Sequence, residues 1–263
     1  MHLFDQDITF EQTATMVFEG TTSDNWSING TPNGGYLMAV LARAMGQLTE
    51  KHATPILTAN YLSRCTPDPA RVVVEKLAES SQFSRFRASL FQQEKEKISA
   101  IGTFSNGNGT AAVTRYEKRP PEMLPVDACT AIPELPGYTV YRHLDLRLDP
   151  ACAGWMTGGE LSERSEQKGW ARFKDRRPAD PEALFLMADA FPPAVLASQG
   201  LTAWVPTLEF SVNIRNLPAT PWLKCVFRTR FINHGLVEED GEIWDEEGGL
   251  VAISRQIAQF KKG

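Results

Sequence analysis

Gly34-Gly35-Tyr36-Leu37-Met38-Ala39-Val40-Leu41-Ala42 and Asp189-Ala190-Phe191-Pro192-Pro193-Ala194-Val195-Leu196-Ala197 share Ala-Val-Leu-Ala and an aromatic at the same place. The distance from Ala39 to Ala194 is 155 residues, and it recurs between Ile98-Ser99 and Ile253-Ser254. Self-similarity at a fixed distance reads as one fold written twice. Duplicated copies diverge, so positions where one copy holds a reactive group and the other a bland one are candidate sites. Gly34 against Asp189 and Ile101 against Gln256 are two such pairs.

Working outward, Thr31-Pro32-Asn33-Gly34-Gly35 is a turn signal that leads into Tyr36 to Gln47. That stretch is rich in Ala, Leu and Met and apolar nearly all round, as a buried helix is. Strands are predicted at Ile56 to Ser63, Arg71 to Leu77, Phe83 to Gln92 and Ile98 to Phe104. In the third, Phe83, Arg85, Arg87 and Ser89 alternate with Ser84, Phe86, Ala88 and Leu90, the pattern of a strand buried on one face. The second half repeats the order. Pro192 and Pro193 fit the first turn of a helix starting near Phe191, which puts Asp189 at or before its N-cap. Strands follow at Pro206 to Arg215, Trp222 to Ile232, Leu236 to Trp244 and Leu250 to Phe260, the last two joined by a turn at Asp245-Glu246-Glu247-Gly248-Gly249.

Asn106-Gly107-Asn108-Gly109 and Arg119-Pro120-Pro121 break the chain between the copies, and Tyr138 to Leu146 opens the second. The expected organisation is a first unit over 1–110, a linker over 111–134 and a second unit over 135–263. One buried helix and an antiparallel meander, occurring twice, predict an α+β fold of two curved sheets. Each wraps its own helix, and the two join edge to edge.

Composition excludes several classes. At 263 residues and 42% hydrophobic content the chain supports an ordinary core. A formal charge of -5, with no Lys/Arg run, disfavours nucleic acid as a partner. The acidic opening Met1-His2-Leu3-Phe4-Asp5-Gln6-Asp7 is unlike a signal peptide, and no apolar run reaches membrane-spanning length, so a cytoplasmic protein without membrane contact is expected. Cys65, Cys129, Cys152 and Cys225 are far apart, which fits reduced thiols rather than disulfides or zinc. The four histidines are scattered, and G-x-S-x-G, G-x-G-x-x-G and P-loop patterns are missing. No metal and no cofactor is expected.

The glycine pair before the first helix looks like that of the hotdog fold. Met187-Ala188-Asp189-Ala190-Phe191-Pro192-Pro193, Pro206 to Arg215, and Asp240 to Gln256 with its Gly249-Leu250-Val251-Ala252-Ile253-Ser254-Arg255-Gln256 ending resemble the double-hotdog acyl-CoA thioesterases of the bacterial thioesterase II type. The resemblance covers nearly the whole chain outside the linker, and it implies an acyl-CoA or other acyl-thioester substrate. It also implies that Asp189, Thr207 and Gln256 hold and activate a hydrolytic water. Around the Asp, Ala190-Phe191-Pro192-Pro193 replaces a more polar stretch of the best-known members, so reaction class carries over better than substrate.

The chemistry asks for these residue types on its own account. Thioester hydrolysis needs a proton acceptor for water and donors facing the oxygen that turns negative; a carboxylate near neutrality serves the first role. Backbone N–H groups at a helix N-terminus serve the second, and Gly34 and Gly35, lacking side chains, would let a substrate carbonyl approach. Thr207 and the Gln256 amide each donate and accept hydrogen bonds and so can fix a water. Asp189 could instead act as nucleophile through a mixed anhydride. The plainer readings are that Asp189 caps a helix, Thr207 only suits a strand, and Glu209 and Asn213 share its face at the rim. Two rival functions stand beside hydrolysis: a hydratase or dehydratase of the same fold, which needs a His with an acidic partner, and a silent acyl-CoA-binding module. Open sheet edges are usually paired or covered, which makes a homodimer the expected assembly.

Overall fold

The computed structural model describes residues 1–53, 55–107 and 113–260. Asn108 and Gly109 of the predicted breaker, and the 110/111 boundary drawn between first unit and linker, lie outside the described residues.

Gly34–Gly46 forms the central helix of the first half, α1, and every residue from Gly35 to Ala42 is buried. Such a helix needs cover on all sides, and a curved antiparallel sheet supplies it. In chain order the strands of this half that enter the main sheet are β1 (Glu11–Ala14), β2 (Val17–Thr21), β3 (Ile56–Tyr61), β4 (Pro69–Glu79), β5 (Phe83–Gln92) and β6 (Lys95–Ser105). In β5 the alternation read from sequence is the observed one: Ser84, Phe86, Ala88 and Leu90 are buried while Phe83, Arg85 and Arg87 are exposed. At Gly102 of β6 the missing side chain makes room for the helix, since an added Cβ would sit 2.4 Å from the Met45 sulfur.

The second half contributes β7 (Leu144–Leu148), β8 (Glu166–Phe173), the helices α2 (Pro181–Met187) and α3 (Leu196–Gln199), then β9 (Thr207–Ile214), β10 (Leu223–Arg228), β11 (Leu236–Asp245) and β12 (Leu250–Gln259). The halves share one continuous antiparallel sheet with the path β1-β2-β4-β5-β6-β3-β9-β12-β11-β10-β8-β7. They meet where β3 pairs with β9, Thr58 beside Ser211 with their hydroxyls 2.9 Å apart. The four cysteines are buried free thiols. Among the described residues no helix is long and apolar enough to cross a membrane.

Two sequence expectations change. The helix expected to start near Phe191 starts at Pro181, with Asp180 as N-cap accepting the Ala183 N–H at 2.9 Å. Pro192 and Pro193 lie after that helix has ended, a place proline tolerates as well as a first turn. Asp189 therefore stands just beyond the C-terminus of α2, its N–H bonded to the Leu186 carbonyl at 3.1 Å.

The 155-residue repeat also fails on register. Ile98 is fully buried on β6, whereas Ile253 on β12 is 41% exposed. A one-residue slip exchanges the two faces of a strand, so this alignment, one residue out of step on the last strand of each half, sets inward side chains against outward ones. Ile101, at 51% exposed, is consequently not the inward counterpart of Gln256.

Candidate active site

The helices of the two halves cross at the glycine pair. A Cβ on Gly35 would lie 2.3 Å from the Phe185 carbonyl oxygen and 2.9 Å from the Asp189 Cβ, so only glycine permits this approach. The crossing delivers the Asp189 carboxylate, carried by the second half, to the N-terminus of α1 in the first. There the Gly35 N–H donates to Asp189 Oδ2 at 3.0 Å, and the Gly34 N–H also favours the ionised carboxylate. Asn33 caps α1 by accepting the Tyr36 N–H at 3.0 Å, while its amide donates to the Asp189 carbonyl at 2.8 Å. A helix N-terminus stabilises an anion by both its free N–H groups and its dipole.

Burial nevertheless dominates. It lifts the Asp189 carboxyl to about 6, against the opposing pull of the Gly35, Gln256, Gly34 and Asn33 donors. At neutral pH the group is mostly ionised yet basic enough to accept a proton, the balance a general base needs.

Gln256 lies on the inward side of β12, between Phe210 of β9 and Glu239 of β11 in the ladder. Its amide nitrogen reaches Asp189 Oδ1 at 3.3 Å and also donates to the Thr207 hydroxyl oxygen. Because Thr207 accepts there, its own hydrogen remains free to donate. Simple alternation would turn Thr207 to the same side as Glu209 and Asn213, away from the core. A bulge between Thr207 and Glu209 breaks the register and re-aims Thr207 inward. The expected shared face of Thr207, Glu209 and Asn213 is thus corrected.

Two groups of this site were not singled out from sequence. Tyr61, at the end of β3, donates its hydroxyl to the Gly34 carbonyl at 2.8 Å. Burial, then the charge of Asp189, pushes its ionisation well above the usual tyrosine range, so it remains a neutral donor. Glu239 accepts the Ala194 N–H at 2.5 Å, and burial raises its carboxyl to about 8, with Asp189 and Glu238 adding to the shift. The acidic run Glu238-Glu239-Asp240 reads as a solvated strand end; the signal it hid is parity, since Glu239 shares its face of the strand with Val237, Gly241 and Ile243, all buried. Arg228 pairs with Glu166 and Glu242, Arg230 with Asp240, and Arg64 donates to the Asn29 carbonyl. Among the described residues no cluster of His, Cys, Asp and Glu could hold a metal ion.

A doubled helix-in-sheet fold thus brings a carboxylate, a hydroxyl and an amide together at the helix crossing. Residues 22–105 match the acyl-CoA thioesterase N-terminal domain and residues 121–260 the acyl-CoA thioesterase C-terminal domain, and the chain belongs to that family. It is similar to a thioesterase II candidate from Thermobifida fusca YX, with TM-score 0.89 and 22% identity over 100% of this chain and 98% of that one. It is also similar to the acyl-CoA thioesterase II TesB2 of Mycobacterium marinum, with TM-score 0.78 and 19% identity over 99% and 98%. An uncharacterised protein of Mycobacterium tuberculosis (strain ATCC 25618 / H37Rv) is 24% identical over 93% of this chain and 91% of its own length.

Proposed function

We propose that this protein cleaves an acyl-CoA thioester to carboxylate and free coenzyme A by direct attack of water, using Asp189, Thr207 and Gln256. The observation that carries the reading is the convergence of the Gln256 amide on both the Asp189 carboxylate and the Thr207 hydroxyl. Thr207 donates to the water, Asp189 removes its proton, and the amide fixes both partners. A hydratase or dehydratase would need a pocket histidine, and none of the groups joined here is one.

Gly34 and Gly35 are proposed as the edge where the substrate carbonyl approaches. Their N–H groups hold Asp189 in its ionised state; as Asp189 takes the proton, its hold on the Gly35 N–H weakens. That donor and the positive end of the helix then face the oxygen that becomes negative. The remaining proposals are units over 1–110 and 135–263 joined by 111–134, work in the cytoplasm on fatty acyl groups, and assembly as a homodimer. Sedimentation at micromolar concentration checks the last; a monomer contradicts it.

The direct test is thiol release across a panel of acyl-CoA and acyl-carrier-protein thioesters, with hydrolysis of at least one acyl-CoA series expected and binding without release contradicting it. The activity is expected to be lost as pH falls through about 6, because the base works only when ionised. A pH profile of kcat/KM flat between 5 and 7 contradicts that assignment. Thr207→Val, which keeps shape and removes the donor, is expected to lower kcat/KM about tenfold, the worth of one positioned hydrogen bond of about 1.4 kcal/mol. Unchanged kinetics would leave Thr207 with a structural role only.

A further inference from the structure

We propose that Glu239 is a second catalytic carboxyl, the proton donor to the sulfur that leaves when the water held by Asp189 attacks. This rests on the thioesterase reading and adds a group that the Asp189, Thr207 and Gln256 set lacks.

Placement carries the argument. Glu239 is the cross-strand partner of Gln256, on the inward side of the sheet, and neighbouring strands lie about 4.8 Å apart. Its Oε2 accepts the N–H of Ala194, so the segment that begins with Asp189 is pinned over it. Beyond it on the same side comes Thr229, one residue past the pair Arg228–Asp240, just as Glu239 is one before it. The Thr229 hydroxyl is buried and has no hydrogen-bond partner among the described residues, although its backbone N–H bonds to Ser165. Thr229, Ser165 and Ser198 line a polar cleft of about 500 Å³ together with Arg228 and Arg230. In the order of the strands Glu239 therefore stands between Gln256, which holds Asp189 and Thr207, and Thr229, which belongs to the wall of that cleft.

Its surroundings keep it protonated. Burial raises its carboxyl to about 8 against the pull of the Ala194 N–H, and the charges of Asp189, from the turn after α2, and of Glu238, the next residue on its own strand, add to the rise. Gln256 and Thr229, from the strands on either side, are neutral. Arg228 and Arg230 are engaged by Glu166, Glu242 and Asp240. At neutral pH the pair is thus a mostly ionised Asp189 and a mostly protonated Glu239. Two carboxyls held apart in this way are an acid and a base.

The step balances. Asp189 takes a proton from water as the new C–O bond forms. The tetrahedral intermediate then collapses, the C–S bond breaks with its electron pair passing to sulfur, and the Glu239 proton completes the S–H bond. Asp189 is left protonated and Glu239 ionised; passage of that proton through solvent from one to the other resets the site. No oxidant, metal or co-reactant enters.

Glu239→Gln keeps an acceptor for the Ala194 N–H and loses the acid proton. The test compares kcat/KM against pH for alkyl-thiol and aryl-thiol esters of the same acyl group. The native enzyme should lose alkyl-ester activity above pH about 8. The variant should lack that alkaline limb, be slowed about 10²-fold on the alkyl ester and hardly at all on the aryl ester, whose thiolate leaves without a proton. Equal slowing of both esters, or survival of the alkaline limb, overturns the assignment. A measurement on native protein alone guards against misfolding of the variant: kcat/KM should depend weakly on thiol pKa across the series, and a steep dependence overturns it. If native protein hydrolyses neither ester class, both readings fall; if it hydrolyses them and Glu239→Gln behaves as native, only this one does.

Discussion

Asp189→Asn is expected to lower kcat/KM for thioester hydrolysis by about 10²- to 10⁴-fold, the contribution typical of a positioned general base. The substitution preserves size and one acceptor oxygen, but that oxygen can serve either the Gly35 N–H or the Gln256 amide, not both. The other end of the new amide presents donors to a donor. Binding should survive, because the Asn33 amide bonds to the backbone carbonyl of residue 189, which the change leaves in place. The expected split is therefore in kcat rather than KM, read by thiol release with a matched binding measurement. Hydrolysis at the native rate would remove Asp189 from the mechanism.

Gly35→Ala is expected to damage fold and site together. The added Cβ meets backbone rather than a movable tip, the Phe185 carbonyl oxygen at 2.3 Å and the Leu186 Cα at 3.0 Å, so α1 and α2 must separate. Overpacking of this kind costs about 1–3 kcal/mol, and each kcal/mol lowers Tm by about 2–4 °C in a chain of this size. Separation also lengthens the Gly35 N–H bond to Asp189, so activity should fall by more than the stability change explains. Gly34→Ala is the control: its nearest atoms are the tips of two side chains, Asp189 Oδ2 and the Tyr61 hydroxyl, both at 3.0 Å. It should leave Tm nearly native while lowering activity. Native melting of Gly35→Ala would mean that the crossing is looser than these distances require.

Much of this was legible in the chain because it follows from periodicity. The helix at Tyr36 to Gln47 and the strand at Phe83 to Gln92 announce their burial by composition and alternation, and both form within a residue or two of the expected limits. Asp189, Thr207 and Gln256 could be named by resemblance, and the fold brings them together. Three features were hidden for physical reasons. A proline pair marks a helix start and the stretch after a helix end alike, so Pro192-Pro193 masked the Asp180-Pro181 start. A bulge cannot be counted from alternation, so the inward turn of Thr207 was not visible. Register is invisible to a four-residue match, so the repeat paired Ile98 with Ile253 on opposite faces. Glu239 was concealed by its charged neighbours, and the cost of burying it shows as pH dependence. Its folded carboxyl, raised from 4.5 to about 8, favours the neutral form, so the stability it contributes is full below 4.5 and is lost as pH rises through 8. Glu239→Gln should accordingly melt higher than native protein at pH 9 and close to it at pH 4.

Single-turnover hydrolysis in ¹⁸O-enriched water, with enzyme in excess over an acyl-CoA ester and mass analysis of both the released acid and the peptide containing Asp189, tests the water-attack account most directly. The account predicts one ¹⁸O in the acid, none in the Asp189 peptide and no acylated form of that peptide on quenching within the turnover, since an anhydride opened at its acyl carbon would differ only in that adduct. Label in that peptide, or an acid that leaves the first turnover unlabelled, would contradict it by placing the acyl group on the carboxylate itself.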